Sequence, residues 1–278
     1  MISGRFKAWA LAAFIAAFGL ITDYASACGP NDACAVEGGF YLVKPPSGWD
    51  GKSPLPAVMY FHGYRESADD TMKNKDLVDR MDRLGVLLIA VHGEGQTWSF
   101  PGSPAQNRDE LNYVRAVLDD VEKRFPIDPK RFIASGFSQG ASMVWYVACY
   151  IPLRFAGFAP ISGAFWRPQP TRCPAGPVNF LHVHGSNDHT VPMEGRELRG
   201  GAYRQGNVRE GLKRFLSANV CLADPVVQIG GGLGCEVWKK CESGREIDLC
   251  LHPGGHDFDP RFVEDAVRWI DAIAKKDQ

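Results

Sequence analysis

The pentapeptide GFSQG, Gly136 to Gly140, stands between the apolar run Arg131 to Ser135 and a helix-like stretch from Ala141 to Tyr150. A serine on so tight a strand-to-helix turn needs neighbours without side chains, because a Cβ at either glycine would meet the crossing backbone. The feature therefore asks for a strand that runs straight into a helix, with the Ser138 hydroxyl exposed above the sheet edge. An isolated G-x-S-x-G also recurs by chance as an ordinary turn, so the rest of the chain has to supply the partners a reactive serine needs.

The surrounding pattern is one of alternation. Short apolar runs at Phe40 to Val43, Ala57 to His62, Val86 to Val91, Arg131 to Phe137, Ala156 to Ser162, Asn179 to His184 and Ile247 to His252 read as strands, several of them buried on both faces. Between them lie helical stretches near Asp69 to Leu84, Asp109 to Phe125, Ala141 to Ile151, Gly206 to Asn219 and Pro260 to Lys275. Such alternation predicts an α/β fold: a mostly parallel central sheet covered by helices on both faces. Asp109 and Glu110 place negative charge at the start of one helix, and Ile127-Asp128-Pro129 is expected to stop it before the next strand. The Gly/Pro-rich stretch Arg167 to Pro177 and the Gly230 to Gly234 cluster read as loops within a single domain spanning 28–278.

In open α/β sheets, functional groups gather beyond the carboxyl ends of the strands, where Ser138 is placed. A serine hydroxyl is a weak nucleophile and needs a base, and the base needs an acid to fix its tautomer. In chain order these follow as serine, acid, histidine. His256, in the glycine-bearing segment HPGGHDF after the last strand, is the expected base; His252 is read as structural, and His189 as pointing away. Asp188, in FLHVHGSNDHTVP directly after an apolar strand, is the expected acid. Glu194, Glu197 and Glu210 lie towards or within a helix, and Glu246 and Asp248 sit in a strand with solvent-like alternation. The developing oxyanion needs two backbone donors. The N–H of Gln139 opens the nucleophile helix, and the N–H of Tyr64 follows AVMYFHG, with His62 bracing that loop.

These four elements resemble the α/β-hydrolase esterases of the polyhydroxybutyrate depolymerase and feruloyl esterase group. The resemblance runs from about Phe40 onward and is carried by FHGYRES, by IDPKRFIASGFSQGASMVWYVACYIPLRFAGFAPISG, by LHVHGSNDHTVP and by HPGGHDF. It implies a catalytic triad of Ser138, Asp188 and His256, in agreement with the residue-level reading. The chain departs from the group in having Gln139-Gly140-Ala141 where Asn-Gly-Gly is usual, and in lacking a Trp-Pro-Gly sequence in the histidine loop.

The first residues point to export. Arg5 and Lys7 precede an uncharged apolar run from Ala8 to Ile21 and the small-residue site Ala25-Ser26-Ala27, which reads as a secretory signal peptide over 1–27. The run is short for a membrane anchor, so no stable anchor is expected after cleavage, and the mature chain is expected to be periplasmic or secreted. All eight cysteines lie beyond the cleavage site, and in an oxidising compartment disulfides are the default. Cys235 and Cys250 flank CESGRE almost symmetrically, as if across two antiparallel strands, which leaves Cys221 for Cys241; CGPNDAC closes through Cys28 and Cys34. Resemblance to the esterase group implies Cys149 with Cys173. No C-x-x-C pair is present, so neither a metal site nor a cofactor is expected.

A formal net charge of −1 offers no basic field for nucleic acid. The expected partner is a small or polymeric ester, and the oligomeric state is left open. Trp98 in GQTWSFPGSP and Trp166 in FAPISGAFW are expected to form facing apolar walls beside Ser138, suited to an aryl ester or a hydroxyalkanoate chain. Two other functions share the fold: a serine peptidase, since the same triad cleaves amides, and an exported binding protein without catalysis.

Overall fold

The computed structural model describes Met1 and residues 28–276; the rest of the expected signal segment over 1–27 lies outside the described residues. The chain begins with β1 (Cys34–Val36), β2 (Gly39–Lys44), β3 (Leu55–Phe61), α1 (Ala68–Lys73), α2 (Lys75–Arg83) and β4 (Leu87–Val91). It continues through α3 (Glu110–Arg124), β5 (Ile127–Phe137), α4 (Gln139–Tyr150), β6 (Gly157–Ile161) and β7 (Phe180–Gly185). A short strand pair, β8 (Glu197–Leu198) and β9 (Tyr203–Arg204), precedes α5 (Val208–Asn219), β10 (Val226–Gly230), β11 (Leu233–Trp238), β12 (Ile247–His252) and α6 (Arg261–Lys276).

Ten strands form one sheet in the order β1-β2-β4-β3-β5-β6-β7-β12-β11-β10. The run from β4 to β12 is parallel, and two antiparallel strands extend it at each edge. The central strands β3, β4, β6 and β7 are buried along their whole length, which is why they read as continuous apolar runs. Alternate residues serve two cores. Met59 and Phe61 face the layer of α3, α4 and α5, whereas Val58 and Tyr60 face that of α2 and α6. The sheet is thus covered on both faces, as the alternation predicts.

Four local readings are corrected. The stretch Asp69 to Leu84 is two helices, because Asn74 ends α1 and its side chain accepts from the Leu77 N–H at 3.1 Å to start α2. Helix α3 stops at Arg124, with Phe125 extended ahead of Pro126. Ile127 to Pro129 already belong to β5, whose register against β3 jumps from Leu55–Ile127 to Ala57–Phe132, an irregularity where proline is tolerated. The Gly230 to Gly234 cluster turns the hairpin β10–β11; Gly231 and Gly232 take φ of 61° and 81°, the left-handed pair a tight hairpin turn uses. Finally, β12 is buried at Ile247 to Cys250, and Asp248 is only 6% exposed rather than solvated.

All eight cysteines are paired: Cys28–Cys34, Cys149–Cys173, Cys221–Cys241 and Cys235–Cys250. Cys235 and Cys250 are direct partners across β11 and β12. Cys221 and Cys241 form an isolated antiparallel bridge beside them.

Candidate active site

Ser138 sits between β5 and α4 with φ 57° and ψ −119°, a conformation a non-glycine residue adopts only under constraint. The constraint is visible in its neighbours. A Cβ on Gly136 would lie 2.6 Å from the Phe61 carbonyl oxygen, and one on Gly140 would lie 2.1 Å from the same atom and 2.4 Å from the His62 oxygen. The glycines let the end of β3 cross directly over the elbow. Helix α4 is held below it by burial of every residue from Gln139 to Cys149, with Trp145 packed edge-on to Phe165 and Phe180.

His256 and Asp188 arrive from two loops beyond β12 and β7. These loops are joined by backbone bonds, Ser186 N–H to His252 O at 2.8 Å and Asn187 N–H to Gly254 O at 3.0 Å. Their approach depends on Gly185, where a Cβ would lie 2.1 Å from the Gly255 oxygen. His256 Nδ1 then lies 2.7 Å from Asp188 Oδ2, and its Nε2 lies 2.8 Å from Ser138 Oγ. A carboxylate only accepts, so Nδ1 carries the imidazole proton and Nε2 presents its lone pair to the serine hydroxyl.

Asp188 is 4% exposed. Burial pushes its carboxyl up, but the hydrogen bond from His256 and that from the Val191 N–H outweigh this, leaving it below the ordinary carboxylate range. Oδ1 accepts from the N–H groups of Thr190 and Val191, both at 2.8 Å. Behind it lies a buried pair that the sequence does not single out. His182 Nε2 lies 2.9 Å from His184 Nδ1, and His184 Nε2 lies 2.7 Å from the Val191 oxygen. The carbonyl can only accept, which fixes His184 with its proton on Nε2 and His182 as donor to it. Burial pushes both imidazoles down, so the pair is neutral and supports the acid loop without adding charge to it.

His62 is fully buried; its Nδ1 donates to the Gly63 oxygen at 2.8 Å and its Nε2 accepts from the Gly93 N–H at 2.9 Å, bracing the loop after β3. His252 accepts from the Gly254 N–H and packs on Phe262, and His189 is exposed.

A cleft of about 490 Å³ opens over Ser138. Tyr64, Thr97, Gln139 and Trp166 line it, so the two expected oxyanion donors and one expected aromatic wall share the same space. Trp98 does not. It is fully buried, packs on Phe61 and His62, and donates Nε1–H to the His62 oxygen at 2.8 Å. Phe100 is likewise buried, stacked on Tyr146. The segment GQTWSFPGSP turns its aromatics inward because an indole beneath the β3 loop satisfies a carbonyl that would otherwise be left unpaired. Gly95, Thr97, Pro104 and Ala105 line the cleft together with Trp166. Gln205, joined to Trp166 by a β-bridge, and Arg196 and Arg199 around β8 also line it. Nothing in their spacing announced this, since the bridge pairs residues far apart in the chain. Among the described residues, no group of three or more His, Cys, Asp or Glu side chains is placed to hold a metal ion, and no helix is long and apolar enough to cross a membrane.

A parallel sheet with helices on both faces and a serine elbow at its carboxyl edge is the α/β-hydrolase fold, and the proteins it resembles are esterases of that fold. The profile of the Phospholipase/Carboxylesterase family matches residues 87–217. Feruloyl esterase B of Piromyces equi is 25% identical over 226 residues, covering 77% of this chain and 42% of that protein. A probable feruloyl esterase C of Aspergillus niger is 22% identical over 255 residues, 86% of each. The chain thus spans less than half the length of the first of these relatives and most of the second. Among solved structures, a thermostable esterase superposes with a TM-score of 0.52 at 17% identity, covering 84% of this chain and 56% of that one.

Proposed function

We propose that the chain is an exported serine esterase that hydrolyses carboxylic esters through an acyl-enzyme on Ser138. The observation that carries this reading is the hydrogen-bonded row Ser138–His256–Asp188, whose serine lines the cleft. His256 Nε2 takes the Ser138 proton as Oγ attacks the ester carbonyl, and Asp188 stabilises the imidazolium that forms. The proton then passes to the leaving alkoxide. Water repeats the sequence on the acyl-enzyme, with His256 again as base.

The negative charge on the tetrahedral intermediate falls to the Gln139 and Tyr64 N–H groups. Gln139 opens α4, whose dipole favours an anion there. Its side chain is turned aside to Thr97 Oγ1 at 2.9 Å. In the β3 loop, the Gly63 N–H is engaged by Glu66 and the Arg65 N–H by the Gln96 oxygen, which leaves the amide of Tyr64 between two that are already used. The substrates proposed are feruloyl or other aryl esters and polyhydroxybutyrate-type oligomers, with the apolar part of the ester against Trp166. Four disulfides fit an oxidising compartment, in line with export to the periplasm or beyond.

The test is to treat the purified protein with a fluorophosphonate, map the labelled residue, and assay p-nitrophenyl acetate, methyl ferulate, 3-hydroxybutyrate oligomers and a peptide anilide. Labelling at Ser138 with turnover of esters is expected. An unlabelled Ser138, or turnover confined to the anilide, overturns the reading.

A further inference from the structure

The cleft over Ser138 is lined by two cationic side chains, Arg196 and Arg199, and by no acidic one. Two neighbouring arginines are paired, Arg204 with Glu197 on the adjoining strand of the same pair and Arg209 with Glu236. Neither Arg196 nor Arg199 has a carboxylate within 4.0 Å among the described residues. Arg196 donates Nε–H to the Thr190 oxygen at 2.8 Å, which ties the base of its guanidinium to the loop carrying Asp188 and leaves its two terminal nitrogens for a ligand. Arg199 lies 5.7 Å from the Tyr203 ring centroid, on the turn between β8 and β9.

The two guanidinium groups, without carboxylate partners and sharing the cleft with the apolar Trp166, suit a ligand that is apolar near the ester and ends in a carboxylate.

We infer that Arg196 and Arg199 form a carboxylate-accepting subsite, so that the preferred substrates are esters bearing a free carboxylate at the end remote from the scissile bond. This rests on the esterase reading above and names its substrate class. Guanidinium groups are matched to carboxylates by their fork of donors. Because both arginines are exposed, salt screens the attraction, and the effect is about tenfold rather than the thousandfold a buried pair would give.

Two matched substrate pairs test it. In the first, the p-nitrophenyl half-ester of adipic acid is compared with its methyl-capped counterpart, which places the charge on the acyl side. In the second, the hexanoyl ester of p-hydroxybenzoate is compared with that of methyl p-hydroxybenzoate, which places it on the alcohol side. The expected result is a ratio of kcat/KM, anionic over capped, of about 10 in one pair at low salt, falling towards 1 in about 0.5 M sodium chloride. The same ratio falls to about 1 in the double variant Arg196→Gln/Arg199→Gln and below 1 in Arg199→Glu. Ratios near 1 for both pairs in the unaltered protein, or a preference that persists in the double variant, overturn the subsite while leaving the esterase reading intact. Failure to turn over any of the four esters sinks the esterase reading itself.

Discussion

Replacing Gly140 by alanine tests how the elbow works, because the collision it creates is with backbone on another strand. The added Cβ would lie 2.1 Å from the Phe61 oxygen, 2.5 Å from the Phe61 carbonyl carbon and 2.4 Å from the His62 oxygen. No side-chain rotation relieves contacts with main-chain atoms. Ordinary contact begins at 3.4 Å, so either α4 or the end of β3 must move by more than 1 Å. Both carry groups of the proposed site: the first turn of α4 bears the Gln139 N–H, and the loop after β3 bears the Tyr64 N–H. A displacement of about 1 Å between reacting groups costs on the order of 10²-fold in rate, and overpacking of this kind costs roughly 1–3 kcal/mol of stability. Gly140→Ala is therefore expected to lose about 10²-fold in kcat for p-nitrophenyl acetate, with a lowered Tm by calorimetry. Gly234→Ala is the control, since a Cβ there meets nothing within 4 Å; it should match the parent protein in both measurements. Parental kcat and Tm in Gly140→Ala would refute the steric account of the elbow.

Three further expectations follow from the site and its supports. Asp188→Asn should lower kcat for small esters by about 10⁴-fold, as loss of the correct tautomer does in related triads, while circular dichroism remains that of the folded protein; a loss under tenfold would remove Asp188 from the triad. Trp98→Ala should destabilise the fold by roughly 3–5 kcal/mol in urea titrations and reduce turnover of large and small esters alike, whereas Trp166→Ala should reduce kcat/KM for methyl ferulate about 10- to 200-fold more than for p-nitrophenyl acetate. The reverse pattern would exchange their roles. Asp248 gives a pH dependence: burial first, and then the charge of Glu246, pushes its carboxyl up to about 7 from the ordinary 3.8, and its Oδ1 has no hydrogen-bond partner. The folded state therefore holds this proton more tightly than the unfolded chain. That contribution is fully present below about pH 4 and is lost as pH rises through about 7. Denaturation curves should show Asp248→Asn gaining on the parent protein between pH 4 and 8, by a few kcal/mol at most, since each tenfold difference in proton affinity between the folded and unfolded chain is worth about 1.4 kcal/mol; parallel pH profiles for the two proteins would contradict this.

Much of this molecule is set by short-range rules that the sequence displays directly. The two glycines of GFSQG announce the elbow because the clash they avoid is a property of any strand-to-helix turn that tight, and the structure returns it as Ser138 with φ 57° beneath the Phe61 and His62 carbonyls. Continuous apolar runs announce buried parallel strands for the same kind of reason: a strand covered on both faces has no side to leave polar. The order of serine, acid and histidine along the chain left three of the seven histidines, and the glycine-bearing segment HPGGHDF singled out His256 among them; the pairing of Cys235 with Cys250 followed from their places about one turn. Where local chemistry offers two outcomes, tertiary contact decided. A tryptophan beside a glycine is apolar whether it faces a ligand or a core, and Trp98 went inward because the His62 oxygen needed its N–H. An aspartate in a strand reads as solvated until the strands around it are known; Asp248 is buried because β11 and β7 flank β12 on both sides. The cleft itself was beyond the sequence, because Gln205 meets Trp166 through a bridge between distant segments, and Arg196 and Arg199 are carried over Ser138 by a two-residue strand pair too short to leave any periodic signal. The chain encodes its conformational restrictions residue by residue, but which surface each residue meets depends on strand order and register, and these exist only once the whole sheet has formed.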